Sequence, residues 1–207
     1  MRTAEHKRTR ADIHDEALSA NLRYYEENAA DFTQRTRALE LDAIYAPFLE
    51  FVASGGSILD AGCGSGRDCV AFLNKGYRVK AIDASSAMVS EARRLGVDAE
   101  VQSFREMTFE AEFDGIWACA SLLHVPKSEI VDVLKRFSLA LKLKGILFVS
   151  LKEGEGEGIA EDGRFFSYFR LGEFCALLEA AGLFVMQAQR SVADDGREWL
   201  NFLGKRI

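Results

Sequence analysis

The chain has 207 residues, 48% of them hydrophobic and 28% charged, which is the size of one domain with a substantial core. Its formal net charge of −6 disfavours a broad nucleic-acid surface, because phosphate binding needs clustered Lys and Arg. No run reaches the ~18 uninterrupted apolar residues of a membrane span, so no membrane association is expected.

Taken in order, residues 1–10 (Met1 to Arg10) read as a basic tail that lacks the apolar stretch of a secretory signal. Residues 12–52 have helical periodicity. Leu18, Leu22, Tyr25, Ala29 and Phe32 share one helical face, and Leu39, Ile44, Phe48 and Phe51 predict a second helix. Tyr24 and Tyr25 are adjacent and point about 100° apart on a helix, so only one of them is expected to face a ligand.

From Ser57 onward strand and helix patterns alternate, which predicts a parallel α/β sheet. Strands are predicted near 57–61, 78–83, 98–102, 113–119, 145–151, 183–190 and 198–205, and helices near 67–75, 86–95, 127–142 and 171–181. Ala193 to Gly196 is a turn signal with no helix beside it, so the last two strands should form an antiparallel hairpin. The run Glu153 to Gly158 alternates acid with glycine and predicts neither helix nor strand. It reads as a solvated loop, or as an acidic lid that would favour a cationic acceptor.

The segment Ile58-Leu59-Asp60-Ala61 is an apolar strand that runs into Gly62, Gly64 and Gly66 and then into a helix pattern. Glycines let the backbone turn tightly and approach a ligand closely. Asp83 ends the next strand, seventeen residues after Gly66, where an acid can bridge the two hydroxyls of a ribose. This is a nucleoside-binding βαβ unit. Its spacing is G-x-G-x-G, and Arg67 stands where a dinucleotide fingerprint has its third glycine.

Ile58 to Asp68 resembles motif I of the class I S-adenosylmethionine-dependent methyltransferases. Phe113 to Pro126 is similar to the fourth strand and following loop of the small-molecule members, including the tellurite-resistance-like group. Lys144 to Ser150 is similar to the fifth strand of that family, and Tyr24 to Phe32 resembles the helix that closes over its cofactor. The resemblance implies a Rossmann-like three-layer sandwich over a single domain, 1–207. Its seven-stranded, mostly parallel sheet would end in an antiparallel hairpin, under an N-terminal helical lid. The implied cofactor is S-adenosyl-L-methionine.

Carried over by residue, the resemblance places Gly62, Cys63 and Gly64 against the methionine part, with Asp60 behind them orienting the ammonium. Asp83 would take the ribose hydroxyls, with Ala84 beside it, and Met88 would pack on the adenine between Ser103 and Phe104. Ala118 or Cys119 would lie beside the methionine part, Arg35 would meet its carboxylate, and Tyr24 and Tyr25 would cover the sulfonium. The family often has Asp where Ser103 stands here.

His124 follows the fourth strand, where the crevice of such a sheet opens, and an ordinary histidine pKa suits proton transfer near neutrality. It is the candidate catalytic residue, as a general base or as a substrate contact; a structural histidine is the alternative. Asp114 reads as structural, and Arg67 as a local partner of acidic neighbours. Cys63, Cys69, Cys119 and Cys175 form no C-x-x-C pair, so no metal is expected and the thiols should be reduced in a cytoplasmic protein. The expected function is methyl transfer to a small-molecule acceptor, yielding S-adenosylhomocysteine, by a monomer or homodimer. The alternatives are a non-catalytic S-adenosylmethionine-binding protein and, less favoured, a nicotinamide-dependent oxidoreductase.

Overall fold

A computed structural model describes residues 10–39, 41–193 and 195–207, so all of the expected basic tail except Arg10 lies outside the described residues. The elements run α1 (Arg10–Arg37), α2 (Asp42–Leu49), β1 (Ser57–Ala61), α3 (Arg67–Asn74), β2 (Arg78–Asp83), α4 (Ser86–Arg94), β3 (Ala99–Val101) and β4 (Phe113–Cys119). They continue with α5 (Ile130–Ala140), β5 (Leu141–Lys152), β6 (Glu157–Ile159), β7 (Phe165–Ser167), α6 (Leu171–Ala180), β8 (Leu183–Val192) and β9 (Glu198–Arg206).

Seven strands form one sheet in the order β3-β2-β1-β4-β5-β9-β8. The first five pair in parallel, and β9 runs antiparallel to both β5 and β8. The expected mostly parallel sheet with a C-terminal hairpin is therefore present, flanked by helices on both faces. Strands buried on both sides read as continuous apolar runs, and alternate side chains feed two separate cores. Leu59, Ile116, Leu147 and Val149 pack with Phe137 of α5 and Phe174 of α6. Ile58, Trp117, Ile146 and Phe148 pack on the other face with Phe48 of α2 and Phe72 of α3. Trp117 stacks on Phe148 with ring centroids 3.9 Å apart and planes 10° from parallel.

The N-terminal segment differs in detail from expectation. It forms one long helix, broken at Asn28, where φ is −117° and the side-chain amide donates to the Tyr24 carbonyl. Leu39 and Phe51, expected inside the second helix, lie outside it and are exposed. Helix α5 starts later than 127 because Pro126 to Glu129 closes a turn first, and it stops at Ala140 because Leu141 pairs with Phe113. Among the described residues, no helix is long and apolar enough to cross a membrane.

The hairpin β6–β7 is not among the predicted strands. Glu157 pairs with Ser167 and Ile159 with Phe165, around a turn at Asp162 and Gly163. The run Glu153 to Gly158 is therefore ordered in part as strand, because the apolar side of Phe165 and Phe166 is buried and holds the hairpin down.

Candidate functional site

A cavity of about 1070 Å³ opens at the carboxyl ends of β1, β2 and β4 and is roofed by α1. This is the ligand crevice of an open α/β sheet, and its volume is at the upper end for a small-molecule site. The glycine loop after β1 forms its floor. Gly62 has φ +81°, and a Cβ there would stand 2.3 Å from the Ser121 Cβ, so the loop and the segment after β4 touch backbone to side chain. Gly64 has φ +52°, and its missing Cβ faces only Phe32 of α1, at 3.7 Å. The open space above Gly64 is where a ligand can lie on bare backbone.

Asp83, at the tip of β2, accepts from the Gly64 N–H and from the Ser85 N–H, each at 2.9 Å. A carboxylate has about four acceptor positions, so the group retains capacity for a ligand hydroxyl beside its backbone donors. Burial raises its pKa above the usual carboxylate range. Directly above, Glu26 of α1 reaches the start of α4 and accepts from the Ser85 and Ser86 hydroxyls and the Ala87 N–H at 3.0, 3.1 and 3.2 Å. A carboxylate is stabilised at a helix N-terminus. This contact pins the roof to the nucleoside end of the floor.

Beyond Asp83, Met88 is buried and lines the cavity, so it serves the core and the site together. Phe104 lines the same wall. Ser103 also lies there, but its hydroxyl is taken by Glu106 at 2.7 Å as part of a capping box. Neighbouring Gln102, which the sequence reading missed, keeps a buried Oε1 with no partner. An orphan acceptor on a ligand cavity fits the exocyclic amine of a purine.

The other end of the cavity is built around Phe165 and Phe166 of β7. The Phe165 N–H donates to the Asn21 Oδ1 of α1 at 3.0 Å, and the Phe165 carbonyl accepts from His124 Nδ1 at 2.8 Å. A carbonyl cannot donate, so Nδ1 carries the ring proton and Nε2 is the acceptor for the Tyr25 hydroxyl at 2.9 Å. Burial lowers the His124 pKa to about 4, against the ordinary value assumed from sequence. At neutral pH the imidazole is uncharged and its one lone pair is engaged. Lys152 lies over the Phe166 ring at 3.7 Å, and Arg164 lies over the Tyr24 ring at 4.5 Å.

Of the expected residues, Tyr24, Tyr25, Arg35, Gly62, Cys63, Gly64, Asp83, Ala84, Met88, Ser103, Phe104, Cys119 and His124 all line this cavity. Both tyrosines face it, contrary to expectation, because the cavity is wide enough to take side chains 100° apart. Asp60 and Ala118 are off the wall. Asp60 is buried beneath the glycine loop, where it accepts from the Cys69 thiol at 3.0 Å, and Ala118 points into the core. Arg67 pairs in bidentate fashion with Asp68, which also accepts from Tyr45 and Trp117. Asp114 takes Ser57 and Lys142 at the far end of the sheet, as a structural residue.

The carboxylates of the acidic run are committed to partners away from the cavity. Glu153 pairs with Arg190, Glu155 with Arg170, and Glu157 accepts from the Lys127 N–H and Ser167 hydroxyl. None of the three lines the cavity. Glu153 and Glu155 are held by arginines and Glu157 by a backbone N–H and a hydroxyl, so these three carboxylates form no acidic lid over the site.

Comparison with known proteins agrees with this geometry. Residues 58–145 match the family model described as "Methyltransferase domain". The chain is 37% identical over 106 residues to a ubiquinone biosynthesis O-methyltransferase of Xylella fastidiosa, covering 47% of this chain and 42% of that protein. It is 31% identical over 121 residues to a cypemycin N-terminal methyltransferase of a Streptomyces species, covering 55% of this chain and 49% of that one. The chain thus spans less than half the length of these curated relatives. Its fold matches the Burkholderia thailandensis 1,6-didemethyltoxoflavin-N1-methyltransferase, whose structure holds 1,6-didemethyltoxoflavin and S-adenosylhomocysteine. The TM-score is 0.81 at 23% identity, over 99% of this chain and 93% of that one. The finer likeness to the tellurite-resistance-like group finds no support among these three.

Proposed function

We propose that this chain, which carries a class I methyltransferase domain over residues 58–145, binds S-adenosyl-L-methionine in the α1-roofed cavity and methylates a small-molecule acceptor. The observation that carries the reading is the joint between Gly64 and Asp83 at 2.9 Å under the roof of α1. It sets bare backbone beside a ribose-type carboxylate. The bound cofactor would supply a methyl group activated by a sulfonium and depart as S-adenosylhomocysteine.

The residues present fit that cofactor. Asp83 would hold the ribose, Met88 and Phe104 the adenine faces, and Gln102 Oε1 the adenine amine in place of the family's Asp. Gly62, Cys63, Gly64 and Cys119 would line the methionine part, Arg35 would meet its carboxylate, and Tyr24, Tyr25 and Phe32 would shelter the cation. Asp60 would act through the loop it supports. His124 and Tyr25 position the acceptor end; with its lone pair engaged, His124 is not the base. The main contributions of the protein are alignment and exclusion of water by α1. Free thiols at Cys63, Cys69, Cys119 and Cys175 support a reducing, cytoplasmic setting, and the reading takes 1–207 as one domain.

The dinucleotide alternative is disfavoured by Asp68. Its buried carboxylate sits in the first turn of α3, the electropositive end that a pyrophosphate would need. Calorimetric titration separates the readings. S-adenosylhomocysteine should bind and NADH should not; the reverse would overturn the proposal.

A further inference from the structure

Asn21 is 7% exposed and lines the cavity. Its amide orientation is fixed, because Oδ1 must face the Phe165 N–H, and this leaves Nδ2 as a buried donor with no partner. A buried donor left unsatisfied costs about 1–3 kcal/mol. Lys152 and Arg164 line the same cavity, both over the Phe166 ring of β7. Lys152 has no carboxylate within ion-pair distance among the described residues, whereas Arg164 is ion-paired with Asp162 through Nε and Nη2. Lys152 lies over the Phe166 ring, and Arg164 lies over the rings of Tyr24 and Phe166.

We propose that this end of the cavity is an anion subsite, in which Asn21 Nδ2, Lys152 Nζ and Arg164 bind the anionic, oxygen- or nitrogen-bearing end of a small molecule. In the proposed reaction that molecule is the methyl acceptor, a step that rests on the methyl-transfer reading; the anion site itself does not. The neutral imidazole of His124 adds no positive charge and leaves the selection to these three groups. An acceptor held as its conjugate base needs no protein base. The cationic acceptor suggested by the Glu-Gly run is thereby reversed in charge.

The test uses three probes of one shape: 2-naphthoate, 2-naphthamide and 2-naphthylmethylammonium, titrated calorimetrically into the full chain. Naphthoate should bind about tenfold or more tighter than the ammonium, since the cations attract a carboxylate and repel a like charge. Asn21→Asp keeps the acceptor for Phe165 and replaces the free donor by a carboxylate oxygen, and Lys152→Gln removes the unpaired charge. Each should weaken naphthoate about tenfold while changing naphthamide little. Equal or tighter binding of the ammonium, or naphthoate affinity unchanged in Lys152→Gln, would overturn the proposal. S-adenosylhomocysteine is titrated in parallel. If it fails to bind while the naphthoate preference holds, the methyl-transfer reading falls and the anion subsite stands.

Discussion

The Tyr25 hydroxyl donates to Nε2 of His124 at 2.9 Å and so ties the N-terminal helix to the loop after β4. With Nδ1 fixed on the Phe165 carbonyl, both ring nitrogens are spoken for, and burial holds the pKa near 4. The pH–rate profile should therefore show no ascending limb from His124 near 6.5. His124→Asn should lower the rate without changing the shape of the profile. A limb near 6.5 that disappears in the variant would mean that His124 accepts the proton after all.

The same shift has a consequence for stability. The unfolded chain has its histidine pKa near 6.5 and the folded chain near 4, so between these values the unfolded state binds the extra proton. Stability should rise with pH through this window, be fully present above about 6.5, and fall away toward pH 4. The loss reaches up to about 3 kcal/mol. Urea unfolding at pH 4.5 and 7.5 should show a smaller difference for His124→Gln than for the native chain.

Asp83→Ala should weaken S-adenosylhomocysteine by about 10- to 100-fold, the range expected when charged hydrogen bonds worth about 1.5–3 kcal/mol are lost. Asp83→Asn keeps an acceptor toward one backbone N–H and should fall between the two. Unchanged affinity in a folded Asp83→Ala protein would remove this residue from the site.

Much of this was legible in the sequence. The apolar runs of β1 and β4 and the glycine spacing identify the sheet centre and the floor of the cavity, because strands buried on both faces are apolar along their length. The hairpin β6–β7 was not seen. Asp162-Gly163 is a turn signal, but the Glu-Gly alternation before it hid a strand that is held by packing of Phe165 and Phe166. Asn21 was missed because its partner is 144 residues away. Gln102 was passed over for Ser103, whose hydroxyl turns out to be committed to Glu106.

The roof should respond to ligand. Glu26 holds α1 to the first turn of α4 through buried Ser85, exposed Ser86 and the Ala87 N–H. Hydrogen exchange across 15–35 should slow when S-adenosylhomocysteine binds, and Glu26→Ala should exchange faster than the native chain in its absence. Identical exchange in all three states would make α1 a fixed scaffold.

The glycine loop predicts a contrast between neighbours. Gly62→Ala puts a Cβ 2.3 Å from Ser121 at positive φ and should destabilise the fold by about 2–5 kcal/mol. Gly64→Ala meets only Phe32 at 3.7 Å, so it should cost about 1–2 kcal/mol in backbone strain while lowering S-adenosylhomocysteine affinity. Thermal unfolding and calorimetry on the two variants separate the effects.

The central claim is methyl transfer at this cavity, and methyl-labelled S-adenosylmethionine incubated with the protein and a small-metabolite extract tests it most directly. The account predicts label in a small-molecule product, together with S-adenosylhomocysteine, and loss of that label in Asp83→Ala. A native protein that binds S-adenosylhomocysteine tightly yet labels no metabolite from any extract would contradict it and leave a non-catalytic binding protein.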